Sequence, residues 1–437
     1  MKMRVVLVAY HYDPDPAVGS LRAAKVARAL RDSGHRVHVV TARLPGEIEP
    51  RAPVPGGVSI HPVTPMRSAR EMFAALKSRL ALLKRRHSQN GTSGVRVWAP
   101  PIRVAAWKRF VFSLMWLPDD RQGFILPALR AIRSLGREPI DVVYTTCPPY
   151  SPHLVGLLVK WTMGVRWVAE FRDPWAANTQ KPWWVRSRVA DAVDAWLERV
   201  CLRNADHVVS VSEGIHRGLC ARLEPERQGR CVVVRNGIEC LARPSAWERA
   251  PGPFRIAYVG TFYYSRDPRP FLRSLAAVVR KHGHGPADIR LDLVGLCRSF
   301  GTVSVESAVR DLGLGDIVHF RDWVPSTIVR TILDQADLLL LLAQEQPDQV
   351  SNKLYEYLGA RKPILAFADA RGETACMLRQ AGGHFVVGNH DETASEQAIE
   401  AVWGHARSVD RGQSEEALLT EWTEGVQMRR LMVAIGA

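Results

Sequence analysis

The chain has 437 residues, 46% of them hydrophobic and 24% charged. At about 150 residues per domain, this length is enough for two or three domains with substantial cores. The composition excludes a disordered chain, a collagen-like chain and a bundle of membrane helices. The longest uncharged apolar runs, such as Phe110–Leu117, are much shorter than the roughly 20 residues that a membrane span needs.

The seven cysteines are an odd number, and none stands in a C-x-x-C pair. We therefore expect reduced thiols, no zinc site and a cytoplasmic location. The opening residues, MKMRVVLVAYHYDPDP, lack a small-residue cleavage site. They predict a first β-strand rather than a signal peptide.

The net charge is +15, and most of it lies between residues 66 and 135, which contain 14 Lys and Arg residues but only three Asp and Glu residues. Trp107, Phe110, Phe112 and Trp116 are interleaved with these basic residues. This pattern is typical of a segment that contacts an anionic membrane surface or a lipid-linked anionic acceptor. A solvated basic helix followed by an ordinary buried helix is an equal alternative. Nucleic acid is an unlikely partner, because no nucleic-acid module is recognisable.

In chain order, β-branched runs alternate with helical patterns, which predicts parallel sheets of the doubly wound type. The first unit of this pattern is a strand (4–9), a helix with Ser20 as N-cap and Gly34 at its end, and a second strand (36–42). The following segments continue the alternation of strand and helix: 141–146, 151–164, 165–171, 184–204, 207–211, 212–223 and 231–236.

The segment around 239–254 is rich in Pro, Arg and Ala, lacks periodicity and predicts a linker. The alternation then restarts over these segments: 255–260, a helix from about 267, 289–295, 303–312, 317–320, 326–335, 336–343, 351–360 and 363–368. We therefore expect an α/β protein with two doubly wound, Rossmann-like domains that face each other across a cleft. The predicted boundaries are 1–240, a linker at 241–253, a second domain at 254–405 and a helical tail at 406–437. Such domains bind ligands at the carboxyl ends of their strands.

No G-x-G-x-x-G or G-x-x-x-x-G-K-[ST] motif is present, which disfavours a nicotinamide dehydrogenase and a P-loop kinase. The most informative stretch is PDQVSNKLYEYLGARKPILAF, in which Asp348 and Glu356 are eight residues apart. Ser351 and Asn352 begin a helix whose N–H groups can bind phosphate, and a carboxylate further along can accept hydrogen bonds from sugar hydroxyls. This combination suits a nucleotide-sugar, although an ordinary capped helix has the same spacing.

The chain resembles a GT-B fold glycosyltransferase of the retaining family 4 type over nearly its whole length. That family carries a Glu-x7-Glu segment followed by a Gly-x-Pro turn. The matching positions here are Asp348, Glu356 and Pro363, with Arg361 where Gly is usual. The resemblance implies that Glu356 binds the ribose hydroxyls and that Asp348 contacts the donor sugar.

The segment AYVGTFYYSRDPRPFL resembles the family's Gly-Arg-x4-Lys segment, which binds the diphosphate. Arg266 falls on the Lys position, and Thr261 replaces the Arg. One of the two expected cations is therefore missing, and Arg269 or Lys353 is a candidate to replace it. The resemblance also places Gly260 and Gly295 in the donor site.

In the first half, Gly19 matches the family's glycine loop before the first long helix. The segments PPYSPH and FRDPW resemble a subgroup of cell-surface polysaccharide transferases. The resemblance then places His153 and Asp173 on the acceptor side and Arg172 near the donor. We add Trp107 and Trp116 to the acceptor side.

The function implied is transfer of a sugar, with retention, from a UDP-, GDP- or dTDP-sugar to a hydroxyl acceptor that is a lipid-linked or cell-surface glycan. Asp173, Arg266 and Asp348 are the predicted catalytic residues. The nucleotide-sugar is a co-substrate, no other cofactor or metal is implied, and we expect a cytoplasmic protein peripheral at the inner membrane face. Three alternatives stay open: a transferase acting on a soluble secondary metabolite, a sugar-nucleotide 2-epimerase, and a non-catalytic regulatory partner that binds the sugar nucleotide.

Overall fold

A computed structural model describes residues 2–15, 17–43, 57–68, 71–73, 105–136, 138–178, 181–182, 185–242, 252–263, 266–389, 391–405 and 413–436. Residues 69–70 and 74–104 of the basic segment, which include most of its helical pattern at 70–87, lie outside these residues, and so does most of the predicted linker (243–251). The chain forms two compact units. The first contains residues 1–211, 215–233 and 431–437, and the second contains residues 212–214 and 234–430.

The first unit contains a seven-stranded sheet in the order β3-β2-β1-β4-β5-β6-β7, in which all neighbouring strands are parallel. Its strands are β1 (Arg4–Val8), β2 (Arg36–Ala42), β3 (Val58–Val63), β4 (Val142–Cys147), β5 (Arg166–Phe171), β6 (His207–Ser210) and β7 (Cys231–Val233). The helices of this half are α1 (Val18–Asp32), α2 (Ala106–Met115), α3 (Ile125–Ser134), α4 (Ser151–Met163), α5 (Arg188–Asn204), α6 (Glu213–Cys220) and α7 (Pro225–Gln228), with a 3-10 turn at Gln122–Phe124.

The second unit contains a six-stranded parallel sheet in the order β12-β9-β8-β13-β14-β15, beside a small antiparallel hairpin, β10-β11. Its strands are β8 (Phe254–Val259), β9 (Ile289–Val294), β10 (Ser299–Phe300), β11 (Val303–Ser304), β12 (Val318–Arg321), β13 (Leu338–Ala343), β14 (Ile364–Ala368) and β15 (Phe385–Val387). The helices are α8 (Arg269–His282), α9 (Val305–Asp311), α10 (Ser326–Gln335), α11 (Asn352–Ala360), α12 (Glu373–Ala381), α13 (Glu392–His405), α14 (Gln413–Glu421) and α15 (Glu424–Ile435), of which the residues from Leu431 onward belong to the first unit.

The central strands are apolar and buried on both faces, as parallel sheets require when helices cover both sides. All six residues of β13, LLLLLA, are buried, and so are all six of β4. The predicted α/β class with two doubly wound sheets is thereby confirmed. In the described ranges, no helix is long and apolar enough to cross a bilayer.

The start of α1 differs from the sequence prediction. Its N-cap is Ala17 rather than Ser20, which lies within the first turn and donates a hydrogen bond from Oγ to the Asp15 carbonyl, 2.7 Å away. The Asp15 carboxylate accepts a hydrogen bond from the Ala17 N–H at 2.9 Å. A local Asp turn therefore begins the helix three residues earlier than the position of Ser20 indicates.

Candidate functional site

Two glycine turns lie side by side at the carboxyl ends of β8 and β9. Gly260 follows β8 and Gly295 follows β9, and the Gly260 N–H donates to the Val294 carbonyl at 2.7 Å. Their φ angles are +142° and +107°, a region that L side chains rarely adopt. A Cβ at Gly295 would collide with the Gly260 carbonyl oxygen. Both positions require glycine, because protein atoms occupy the space that a side chain would need.

Lys353, in the first turn of α11, fills the space beside Gly260. A Cβ at Gly260 would collide with the Lys353 ammonium group. The Lys353 Nζ donates to the Tyr258 hydroxyl at 3.0 Å and lies 4.2 Å from the centroid of the Tyr258 ring. The Tyr258 hydroxyl in turn donates to the Thr261 carbonyl at 3.1 Å. The end of β8 therefore holds the amine in a fixed position at the glycine turns.

Burial opposes a charge on this amine. Desolvation, together with the positive charge of Arg266, lowers the pKa of Lys353 to about 7, against its ordinary value of 10.5. The carboxylate of Glu356, one turn further along α11, acts in the opposite direction and offsets part of this effect. An amine in such surroundings gains charge stabilisation when an anion arrives beside it.

Arg266 lies at the N-terminus of α11. Its Nη2 is 3.5 Å from the Ser351 hydroxyl oxygen, and its guanidinium lies 4.5 Å from the centroid of the Tyr263 ring. Ser351 occupies the N-cap position as predicted, but its side chain makes no capping hydrogen bond. The free N–H groups of a helix start and a guanidinium both favour an anion, so this location suits phosphate oxygens.

Arg269, the other candidate for the missing cation, is paired elsewhere. Its Nε lies 2.9 Å from Asp267 Oδ1 and its Nη2 lies 2.7 Å from Asp267 Oδ2. This two-point contact neutralises its charge locally. Of Arg269 and Lys353, it is Lys353 that lies at the Gly260 turn. This turn begins the segment that resembles Gly-Arg-x4-Lys, and Thr261 there stands in place of the expected Arg.

Asp348 and Glu356 lie on either side of the start of α11. The Asp348 carbonyl accepts a hydrogen bond from Ser212 Oγ at 2.6 Å. A Cβ at Gly214 would lie 2.6 Å from Asp348 Oδ1, so Gly214 makes room for this carboxylate. Asp348 is partly buried, whereas Glu356 is exposed. Asn352, at the first position of α11, keeps a buried Oδ1 that has no hydrogen-bond partner in the described structure.

In the first unit, Arg172 binds backbone rather than presenting a free guanidinium. It donates from Nε to the Cys147 carbonyl at 2.9 Å, from Nη2 to the Pro148 carbonyl at 2.6 Å and from Nη1 to the Gly19 carbonyl at 3.1 Å. A Cβ at Gly19 would lie 3.1 Å from the same guanidinium. Arg172 therefore connects the glycine loop to the end of β4.

His153 lies in the core and not on a surface that an acceptor can reach, which corrects the expectation from sequence. It is fully buried, its Nδ1 is 2.7 Å from Thr145 Oγ1, and its ring packs 4.4 Å from that of Phe171. Burial, with a smaller contribution from Arg172, lowers its pKa to about 3. The start of α4 packs directly on β4 and β5, so a histidine there serves as a neutral core residue.

The remaining predicted acceptor residues occupy different environments. Asp173 follows β5 and is partly buried. Trp107 is 66% exposed on α2, while Trp116, the C-cap of that helix, is partly buried.

Three residues near the glycine turns carried no signal in the sequence. The Tyr258 hydroxyl accepts a hydrogen bond from Lys353 Nζ. The Cys297 thiol donates to the Gly260 carbonyl at 3.2 Å, and the Tyr357 hydroxyl accepts from the Val259 N–H at 3.1 Å. Their residue types are ordinary in buried strands and helices, so only their spatial position links them to the site. Within the described ranges, no three His, Cys, Asp or Glu side chains come together as metal ligands.

Three solved structures are similar to the whole chain at low sequence identity. Sucrose-phosphate synthase from Thermosynechococcus elongatus is 16% identical, with a TM-score of 0.64 over 99% of this chain and 98% of that one. Anabaena HepE in complex with UDP is 12% identical, with a TM-score of 0.62 over 99% and 100%. A UDP-forming trehalose-phosphate synthase from Burkholderia xenovorans is 14% identical, with a TM-score of 0.61 over 100% and 99%.

These likenesses show the fold, which is GT-B. No curated protein matches the chain. Residues 19–237, half of the chain, match the family described as "Glycosyl transferase 4-like domain". The chain therefore belongs to the glycosyl transferase 4-like family.

Proposed function

We propose that this protein transfers a glycosyl group from a nucleoside-diphosphate sugar to a hydroxyl acceptor, with retention at the anomeric carbon. The observation that carries the proposal is the grouping of Arg266, Lys353 and the N-terminus of α11 around the Gly260 and Gly295 turns. Two cationic side chains and a helix start provide what a diphosphate requires. Asp348 and Glu356, which flank Lys353 in the sequence, are the proposed acceptors of hydrogen bonds from sugar and ribose hydroxyls.

Uridine is the base that we propose for the donor. HepE is described in complex with UDP, and the trehalose-phosphate synthase is described as UDP-forming. GDP- and dTDP-sugars are the competing donors in the test below.

In the proposed reaction, the bond between the anomeric carbon and the diphosphate oxygen breaks. The acceptor oxygen bonds to the same face of that carbon, and its proton moves to the departing diphosphate. Negative charge grows on the diphosphate as the bond breaks, and Arg266 and the α11 N-terminus stabilise it. These fixed positive groups make the reaction independent of a metal ion in our proposal. Asp173 acts on the acceptor side.

The acceptor that we propose is a lipid-linked or cell-surface glycan, reached by peripheral contact with an anionic membrane. Trp107, Phe110, Val111 and Leu114 are 66%, 42%, 37% and 39% exposed on α2. Their spacing of three and four residues places them on one face of the helix. Lys108 and Arg109 lie beside them in the sequence. Exposed aromatic side chains flanked by basic residues favour an anionic bilayer surface.

A non-catalytic regulatory partner is the second candidate, and two departures from the family pattern favour it. Thr261 replaces the expected Arg, and Asp348 replaces the expected Glu with a side chain one methylene shorter. This candidate predicts that a sugar nucleotide binds without any release of nucleoside diphosphate.

The test is a donor screen with UDP-, GDP- and dTDP-sugars in the presence of EDTA, with and without a membrane lipid extract. Nucleoside diphosphate release is measured for the native protein and for Arg266→Ala. A metal-independent transferase with a lipid-linked acceptor is supported if the extract stimulates nucleoside diphosphate release by the native protein and the Arg266→Ala variant shows no such release. Release that soluble hydroxyl compounds alone stimulate favours a soluble acceptor. Isomerisation of the donor without acceptor favours a 2-epimerase, and binding without release favours the regulatory candidate.

A further inference from the structure

The amine of Lys353 is built into the wall of the proposed donor site. It is enclosed by the Tyr258 ring and hydroxyl, and by the backbone of Gly260, where a Cβ would collide with it. The Cys297 thiol donates a hydrogen bond to the Gly260 carbonyl, so the loop after β9 contacts the same glycine turn. Lys353 as a whole is only partly buried, but its amine lies against the Tyr258 ring and the Gly260 backbone.

The charged and titratable groups around this amine come from β8, the loops after β8 and β9, and α11. Arg266, on the loop after β8, repels a positive charge, and burial opposes it further. Glu356, on α11, favours the charge but is itself exposed to solvent, which screens its effect. Burial raises the pKa of Cys297 to about 12 and that of Tyr258 well above its ordinary value, so both are neutral near pH 7. Among the described groups that act on this amine, Arg266 is a permanent cation, and the amine itself is largely neutral above pH 7.

We propose that binding of a nucleoside diphosphate is coupled to the uptake of one proton by Lys353, which creates the second cation of the site only when the ligand is present. This inference rests on the proposed donor site and adds its regulation by protons. The diphosphate brings negative charge between the α11 N-terminus and the Gly260 turn, which reverses the effect of Arg266 on the amine. The Nζ lone pair accepts a proton from the solvent, and no other bond forms or breaks.

The coupling has a defined pH dependence. With a pKa of about 7 in the empty site and an ordinary value in the complex, the free protein holds fewer protons than the complex above pH 7. By linkage, the affinity for the diphosphate then falls by close to tenfold for each pH unit between about 7.5 and 9. Below pH 6 the amine is already charged and this dependence disappears.

The experiment is isothermal titration calorimetry of the full chain with UDP at pH 8.0, in Tris and in EPPS, two buffers with different ionisation enthalpies. The terminal phosphate of UDP is almost fully ionised at this pH, so the measured proton uptake comes from groups of the protein and not from UDP. The expected uptake is about 0.9 proton for each UDP bound, since an amine with a pKa of about 7 is roughly ten parts neutral to one part charged at pH 8.

Three variants make the assignment specific. Lys353→Arg carries a permanent charge, and Lys353→Met carries none, so both should bind UDP with uptake near zero and without the fall in affinity above pH 7.5. Lys281→Arg, a matched change at an exposed lysine of α8, should keep the uptake. Native protein that binds UDP with less than about 0.2 proton, or Lys353 variants with native uptake, would overturn the coupling alone. Failure of the native protein to bind UDP at any pH from 6 to 9 would overturn the donor site as well.

Discussion

Arg172 donates a hydrogen bond to the backbone carbonyl of Gly19 at 3.1 Å, although 153 residues separate the two in the chain. The same guanidinium also binds the carbonyls of Cys147 and Pro148. Three elements of the first unit thus meet at one side chain: the first turn of α1, the end of β4 and the end of β5. Sequence resemblance alone places Arg172 near the donor, whereas these contacts indicate a residue that positions the glycine loop.

Replacing Arg172 by Lys should destabilise the first unit and leave the donor site intact. A single ammonium cannot reach all three carbonyls, and loss of two charge-assisted hydrogen bonds costs about 2–4 kcal/mol. We expect a lower urea midpoint with a Kd for UDP unchanged within twofold. Arg186→Lys, at an exposed ion pair of 3.8 Å with Asp191, is the matched control and should be nearly neutral. A weakened Kd without loss of stability would return Arg172 to the donor site.

Under the proposed function, Arg266→Ala should lower the rate of UDP release by about 10²- to 10³-fold, because it removes a fixed positive group from the proposed diphosphate site. The thermal midpoint should change little, since the side chain makes one long contact, to Ser351 at 3.5 Å, and a ring contact with Tyr263. Arg269→Ala provides the comparison, because the charge of Arg269 is already paired with Asp267. Equal turnover in the native protein and Arg266→Ala would exclude Arg266 from the diphosphate site.

Gly260→Ala should weaken UDP binding by roughly tenfold or more. The new Cβ collides with the Lys353 ammonium, and φ at this position is +142°. Gly283→Ala, at the end of α8, has a φ of +66° and no neighbouring atom within 4 Å. It should therefore cost about 1 kcal/mol of stability without any change in UDP affinity. If both variants bind UDP as the native protein does, the glycine turn is not part of the donor site.

The first unit should lose stability as the pH falls from about 6.5 to 4. His38 Nδ1 is 3.1 Å from His61 Nε2, and burial, followed by the charge of Arg4, lowers the pKa of His38 to about 4. The folded chain then binds fewer protons than the unfolded chain in this interval, so acid favours unfolding, by up to about 3 kcal/mol for His38.

Urea midpoints at pH 7.5, 6.0, 5.0 and 4.5 measure this dependence for the native protein and for His38→Gln. The glutamine amide can still accept from Arg4 but does not titrate, so the variant should show a smaller slope with pH. The buried His153 supplies a further part of the slope in both proteins, since its pKa also lies far below the ordinary value. Parallel curves for the two proteins would contradict the assignment to His38.

The exposed face of α2 should bind anionic vesicles. A Trp107→Ser, Phe110→Ser double variant removes two large exposed side chains and should reduce co-sedimentation with phosphatidylglycerol vesicles by tenfold or more. Trp323→Ser, at a residue that is 79% exposed in the second unit, is the matched control. Equal co-sedimentation of the double variant and the control would remove α2 from the membrane contact.

The fold class could be predicted from sequence because its signals are local. A run such as LLLLLA at Leu338–Ala343, between two helical patterns, specifies a buried parallel strand, and repetition of that pattern specifies two sheets. The glycosyl transferase 4-like family and the GT-B fold are likewise confirmed, whereas retention and the polysaccharide-transferase subgroup stay predictions. Helix starts were less predictable. Ser20 indicates a later start for α1 than the one observed, because a turn at Asp15 places the N-cap of the helix at Ala17.

The site was only partly predictable, because its contacts join distant parts of the chain. Sequence reasoning left Arg269 and Lys353 as equal replacements for the missing cation. The two candidates are distinguished only by contacts in the fold: Arg269 pairs with Asp267, and Gly260 leaves space for Lys353. The buried position of His153 depends on how α4 packs on the sheet, which a motif does not encode.

The first compact unit is discontinuous, and this affects how the protein can be recombined with its relatives. Residues 431–437 belong to that unit, and Leu431 and Ile435, near the end of α15, are fully buried. A chimera that exchanges everything after residue 233 therefore pairs the native amino-terminal half with a foreign carboxyl-terminal segment. An exchange limited to 234–430 keeps that segment with the sequence beside which it evolved. Crossover points for exchanging the second unit should accordingly be placed at both ends of this interval.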